Sequence, residues 1–183
     1  GKMEQELNRA TQLSEKAAKR IDESFAVLKG SLGTVFAGVT VGGAWQAFIS
    51  DTAKLGAEIS RLSQVSNASV EDFQLMAYGA KSAGVEQSQL ADILKDVNDK
   101  FGEFSVTGGG EMKDFFDTVA KKAGVTAEAF KNLSGPQALQ LYYNTLQKAN
   151  VSQQQATFFM EALANDATKL IPLLKDGGAG FRQ

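Results

Sequence analysis

Histidine and cysteine are both absent from this 183-residue chain. Their absence excludes a Ser-His-Asp triad, a thiol nucleophile, a histidine proton shuttle and a Cys/His zinc site. Without cysteine, disulfides give no indication of compartment either. Basic charge is not in excess: 19 Lys and Arg stand against 21 Asp and Glu, a net charge of −2. Such a balance supplies no basic stripe for a phosphate backbone, so sequence-specific nucleic acid is not an expected partner. Proline occurs only twice. No secretory leader is visible, because residues 1–29 mix charged and apolar side chains throughout. Gly1 in the place of a methionine, and the open stretch Gly177–Gln183, are what a piece of a longer protein would present.

What is present reads as an all-α protein: an N-terminal long helix, a Gly-rich apolar connector, and then a compact multi-helix bundle. The expected division is a helical arm over 1–29, a Gly-rich apolar segment over 30–50, and a bundle domain over 51–183. In the arm, Met3, Ala10, Ala17 and Ser24 form one seven-residue series and Leu7, Ser14, Ile21 and Leu28 another. That seam suits a weak coiled coil or an amphipathic helix lying on its own domain.

Residues 30–50 carry no charge. Leu32, Val35, Phe36, Val41, Trp45, Phe48 and Ile49 make the segment apolar, while Gly38 and Gly42 give a GxxxG spacing that lets two helix backbones approach closely. At ~1.5 Å per residue the segment could just span a hydrocarbon core. Its glycines and hydroxyls make insertion marginal. Two readings stand here: a buried or flexible helical connector, and a segment that enters a membrane conditionally.

Beyond Ala44 the pattern is helical through about Leu62, and caps then mark a series of helices. Ser69-Val70-Glu71-Asp72 opens a helix that closes at Gly84, with Phe73, Met76, Ala77 and Ala80 on one face. Leu90, Ile93, Leu94, Val97, Phe101 and Phe104 follow the spacing of a core-facing helix. Met112, Phe115, Phe116 and Val119 mark another, ending at Gly124. Ser134-Gly135-Pro136 starts the next, Ser152 with Gln155 is a capping box for the one after, and the last runs from about Asp166 to Leu174 with Pro172 limiting it. A short repeat recurs where helices end: Ala83-Gly84-Val85, Ala123-Gly124-Val125 and Ala149-Asn150-Val151. Gly or Asn there suits a left-handed residue after the helix, with the valine folding back onto the last turn.

Catalytic, cofactor and metal residues are all expected to be none. The carboxylate pairs Asp114/Asp117 and Glu71/Asp72 sit near helix starts, where negative charge complements the helix dipole. Asp92, Asp96, Asp99 and Glu103 form an acidic stripe opposite the apolar face, either a solvated surface or a contact for a basic partner. A calcium loop from Asp96 fails, because Lys100 and Phe101 occupy the positions of an oxygen ligand and a glycine. Gly108-Gly109-Gly110 lacks the Lys-Ser/Thr of a phosphate loop, and Glu111 would repel an anion.

The order of these features carries one resemblance. A helical arm and a glycine-rich apolar run precede Ile59-Ser-Arg-Leu-Ser-Gln-Val-Ser-Asn-Ala-Ser-Val-Glu-Asp-Phe-Gln-Leu-Met-Ala-Tyr-Gly-Ala-Lys-Ser-Ala-Gly-Val85. This resembles the tail tape measure proteins of long-tailed bacteriophages and prophages, best over residues 30–175. The resemblance implies a virion structural protein that fills the tail tube lumen, sets tail length and assists DNA delivery. It implies as partners further copies of itself (a homo-oligomer such as a trimer), the tail tube protein, the tail assembly chaperone, the tail tip proteins and the host inner membrane. The implied locations are host cytoplasm during assembly, the virion, and the host envelope during ejection. Beside it stand a membrane-active helical toxin or pore-type module and a generic helical interaction adaptor.

Overall fold

The computed structural model describes residues 1–6, 8, 9 and 56–178. Residues 2–6, 8 and 9 are helical, in keeping with a helix at the start of the arm. The rest of the arm and the whole uncharged segment 30–50, with Leu32, Val35, Phe36, Gly38, Val41, Gly42, Trp45, Phe48 and Ile49, lie outside the described residues.

From Gly56 onward the protein is all-α, with no strand among the described residues. The elements are α1 (Gly56–Val65), α2 (Val70–Ser82), α3 (Gln87–Thr107), α4 (residues 112–123), a 3₁₀ turn (Ala127–Phe130), α5 (Gly135–Lys148), α6 (Gln153–Leu163), a second 3₁₀ turn (Ala167–Leu170) and α7 (Ile171–Gly178). α3 packs against α1, α2, α4, α5 and α6, while α5 also carries α7. The core lies between these two helices, with Leu90, Leu94 and Val97 of α3 and Leu139, Tyr142 and Leu146 of α5 fully buried.

Local chemistry explains where each helix begins and ends. Ser69 accepts the Asp72 amide at the start of α2, and both Ser134/Gln137 and Ser152/Gln155 form reciprocal capping boxes. Gly84, Gly124 and Asn150 have φ of 79°, 73° and 55°. The following valine amide donates back to Ala80, Ala120 and Leu146 respectively, closing the Schellman-type ring that the repeat predicts. A fourth corner has the same build: Asn67 is left-handed at φ 53° and the Ala68 amide donates to the Ser63 carbonyl at 3.0 Å. At each of these four corners the cap of the next helix or turn follows at once, at Ser69, Glu86, Thr126 or Ser152.

Two elements depart from the sequence expectation. The expected helix from Asp166 to Leu174 is instead a 3₁₀ turn followed by α7, with the left-handed Asp166 lying just before the turn. Pro172 lies in the first turn of α7, where its missing amide costs nothing, so it helps to start this helix. α4 is α-helical at Met112–Asp114 and Lys121–Ala123 but π-helical over Phe115–Ala120. Phe115 is fully buried and Phe116 half-buried against the core, as the spacing of Met112, Phe115, Phe116 and Val119 predicts.

Among the described residues, buried polar side chains are all partnered. Ser63, Ser66 and Thr145 donate to carbonyls one turn back, each at 2.7 Å. Gln140 Nε2 donates to Asn144 Oδ1 and to the Leu174 carbonyl, tying α5 to α7. Asn98 Nδ2 donates to the Ser66 carbonyl at 2.9 Å, tying α3 to the first corner.

Candidate interaction site

The features most open to a partner are aromatic. Phe101 and Phe104, expected as core residues, are only half-buried, because α3 runs on past the bundle and their rings form the wall of a surface recess. Phe116 of α4 and Phe130 of the first 3₁₀ turn complete the floor, and Ser105, Ala127, Glu128 and Lys131 form the rim. The recess has a volume of about 330 Å³, at the lower end of the range in which proteins hold small ligands or inserted side chains.

The rings are arranged as two stacked pairs set against each other. Phe101 stacks on Phe130 at 4.5 Å and Phe104 on Phe116 at 4.4 Å, while Phe116 meets Phe130 edge-on at 5.5 Å. Beneath them Phe115 stacks on Tyr142 at 4.2 Å, and the buried Tyr142 hydroxyl donates to the Phe159 carbonyl at 2.7 Å. Burial pushes the Tyr142 phenol well above its ordinary value, so it remains a donor. This lower layer fixes the floor of the recess. Lys100 supports it from the side, with its ammonium donating to the Ala162 carbonyl and pairing with Glu111 at 2.8 Å, which joins α3 to α6 and to the start of α4.

The acidic stripe is on the opposite side of α3. Asp92, Asp99 and Glu103 are exposed and Asp96 is half-buried. Asp99 pairs with Lys95 at 2.8 Å, and that hydrogen bond, the Asp99 charge and then the charges of Asp96 and Asp92 raise the Lys95 ammonium above its ordinary value. Glu103 folds against the left-handed Gly110, where a Cβ would stand 2.7 Å from its carboxyl carbon. Two of the four acids are therefore engaged within the chain, and the stripe does not converge on one point. Asp117 pairs with Lys113 at 2.7 Å, and Glu71 and Asp72 lie in the first turn of α2. Among the described residues no group of acids is gathered for a metal ion, and no helix is long and apolar enough to cross a membrane.

Sequence reasoning missed Phe130, Glu128, Lys131 and Phe158 as surface features. Phe130 is carried by a 3₁₀ turn too short to show a period. Phe158 did leave a signal: it is an aromatic among Gln154, Gln155 and Glu161 on the polar side of α6, and it is 65% exposed. Compared with known proteins, the chain matches no family, no curated protein and no solved structure.

Proposed function

We propose that this chain is part of the tail tape measure protein of a long-tailed phage, a structural component that occupies the tail tube, sets its length and leaves ahead of the DNA. One observation supports the reading. The stretch 59–85 that carries the resemblance folds as a continuous series of helix, corner, helix and corner, and its corner geometry recurs at Gly124 and Asn150. Length would be read from the extended arm, the uncharged segment 30–50 would meet the host envelope, and the bundle would be a folded station along the protein. No chemistry is assigned to it.

The test uses the rise of a helix as a ruler. In-register heptad duplications in residues 3–28 of the parent protein should lengthen the tail by ~1.5 Å per added residue. About 140 added residues then predict roughly 210 Å, measurable on stained particles. Tails of unchanged length in particles that still assemble would overturn the length-setting role. The aromatic recess favours a second reading, a helical interaction adaptor, which is the description left standing by that outcome.

A further inference from the structure

We propose that the recess between α3, α4 and the first 3₁₀ turn receives Phe158 from a second copy of this chain. The inference rests on the recess being an interaction surface and not on the phage reading, so the tail-length experiment can fail without touching it.

The two halves of the contact lie on different elements of the fold, Phe158 on α6 and the recess between α3, α4 and the first 3₁₀ turn. Phe158 is a large apolar side chain that the fold leaves 65% exposed, with the ring of Phe159 edge-on to it at 5.4 Å and 80° between rings. It does not line the recess of its own molecule. The recess in turn presents half-buried rings on two walls and room for a further flat side chain. An aromatic insert can meet such rings stacked or edge-on, the arrangements that ring quadrupoles favour.

The recess rim carries one acid and one base, Glu128 and Lys131, and the face around Phe158 carries Glu161 and Gln154. One turn from Phe158, on the same face of α6, stands the carboxylate of Glu161, which accepts the Thr168 hydroxyl at 2.7 Å on one oxygen. On the recess rim the exposed Lys131 has no ion pair among the described residues. Seating Phe158 would bring these charges to one edge of the contact. At the other edge the Glu128 carboxylate can accept from the Gln154 side-chain amide. Knob and recess are different surfaces of the same molecule, so the contact is heterologous and a joined pair still presents one free knob and one free recess. Such contacts propagate head to tail unless a ring closes.

Complementation distinguishes this contact from any association through the arm, which both of the following variants retain. Phe158→Ala removes the knob, and Ala127→Trp, at an exposed rim position, fills the recess. Sedimentation velocity on the full chain over a wide concentration series should show a growing assembly for the wild type, weakened about tenfold in either variant. A mixture of the two variants should form one-to-one pairs through the intact knob and recess and grow no further by this contact. Lys131→Glu should weaken association as well, and Lys131→Glu with Glu161→Lys should restore it. The charge pair decides the matter if either aromatic variant fails to melt cooperatively. Association of Phe158→Ala equal to that of the wild type, a mixture no more associated than its components, or a wild type with no concentration dependence would each overturn the proposal.

Discussion

The α-carbon of Gly135 faces the carbonyl oxygen of Ser66 so closely that a Cβ built on it would stand 2.1 Å away. The Gly135 amide donates to the Asn67 carbonyl at 3.0 Å, and Asn67 Nδ2 donates to the Leu133 carbonyl at 3.2 Å. The corner after α1 and the start of α5 are thus pressed backbone to backbone. Gly135→Ala is expected to destabilise by about 2–3 kcal/mol or more, because the obstacle is main chain and cannot rotate away. Gly102, inside α3 with open space around its α-carbon, should respond oppositely: Gly102→Ala gains about 0.5–1 kcal/mol. Urea unfolding of both variants checks the pair, and similar midpoints would show that this contact is misplaced.

Val97 is fully buried between α3 and its neighbours, whereas the adjacent Asp96 is half-buried at the edge of the stripe. Val97→Asp places an unpaired carboxylate in the core and should cost about 3–5 kcal/mol, enough to abolish cooperative melting in a marginal domain. Asp96→Asn should shift the midpoint by less than about 0.5 kcal/mol. Equal thermal shifts for the two would contradict the orientation of α3.

The left-handed corners differ in what occupies them. Gly84 and Gly124 have positive φ and open space around their α-carbons. Alanine at either should cost about 1–2 kcal/mol through backbone strain alone. Asn150→Gly should be neutral or slightly stabilising. Asn67→Gly should destabilise despite the same φ, because it removes the hydrogen bond to Leu133. Thermal melts of the four variants at one pH would show this order, and an Asn67→Gly protein as stable as Asn150→Gly would show that the Asn67–Leu133 hydrogen bond adds no stability.

Alkaline stability should depend on Tyr142. Burial raises the Tyr142 phenol above its unfolded value of 10.0, and burial together with the Asp176 charge raises Tyr143 in the same direction. A raised folded pKa means that the contribution is complete below pH 10 and is lost as pH climbs through and beyond it. The melting temperature should therefore fall above pH 10, with a shallower slope in Tyr142→Phe, which has no proton to lose there. At pH 7 the same variant should cost about 1 kcal/mol for the lost bond to the Phe159 carbonyl. Parallel slopes for wild type and variant would rule Tyr142 out as the titrating group.

Helix ends were the most legible part of the sequence, for a physical reason. Ala-Gly-Val and Ala-Asn-Val place a left-handed residue and an apolar contact at fixed positions, and Gly84, Gly124 and Asn150 all take that role. The corner at Asn67 escaped notice because alanine stands where the others have valine, although its hydrogen bonds are the same. Periodicity also placed Val97 and Leu94 in the core correctly. It could not foresee the π-helical turn, since the spacing of Met112, Phe115, Phe116 and Val119 already fits the inner face of an ordinary helix. The recess was illegible for a related reason. It is assembled from Phe101, Phe104, Phe116 and Phe130, contributed by three elements whose approach is set by packing between segments distant in sequence.

The bond from Asn67 to Leu133 spans 66 positions, whereas each corner is closed by hydrogen bonds between residues at most five apart. Corners can form as soon as their own few residues exist. Closing a loop of this length costs roughly 3–4 kcal/mol of chain entropy, and α2, α3 and α4 must be in place before that cost is offset. On a ribosome adding about 5–20 residues per second, α1 therefore emerges some ~3–13 s before its partner at the start of α5 has been made. Over that interval α2 and α3 are the described elements that can shelter the apolar side of α1, with Ile59 and Leu62.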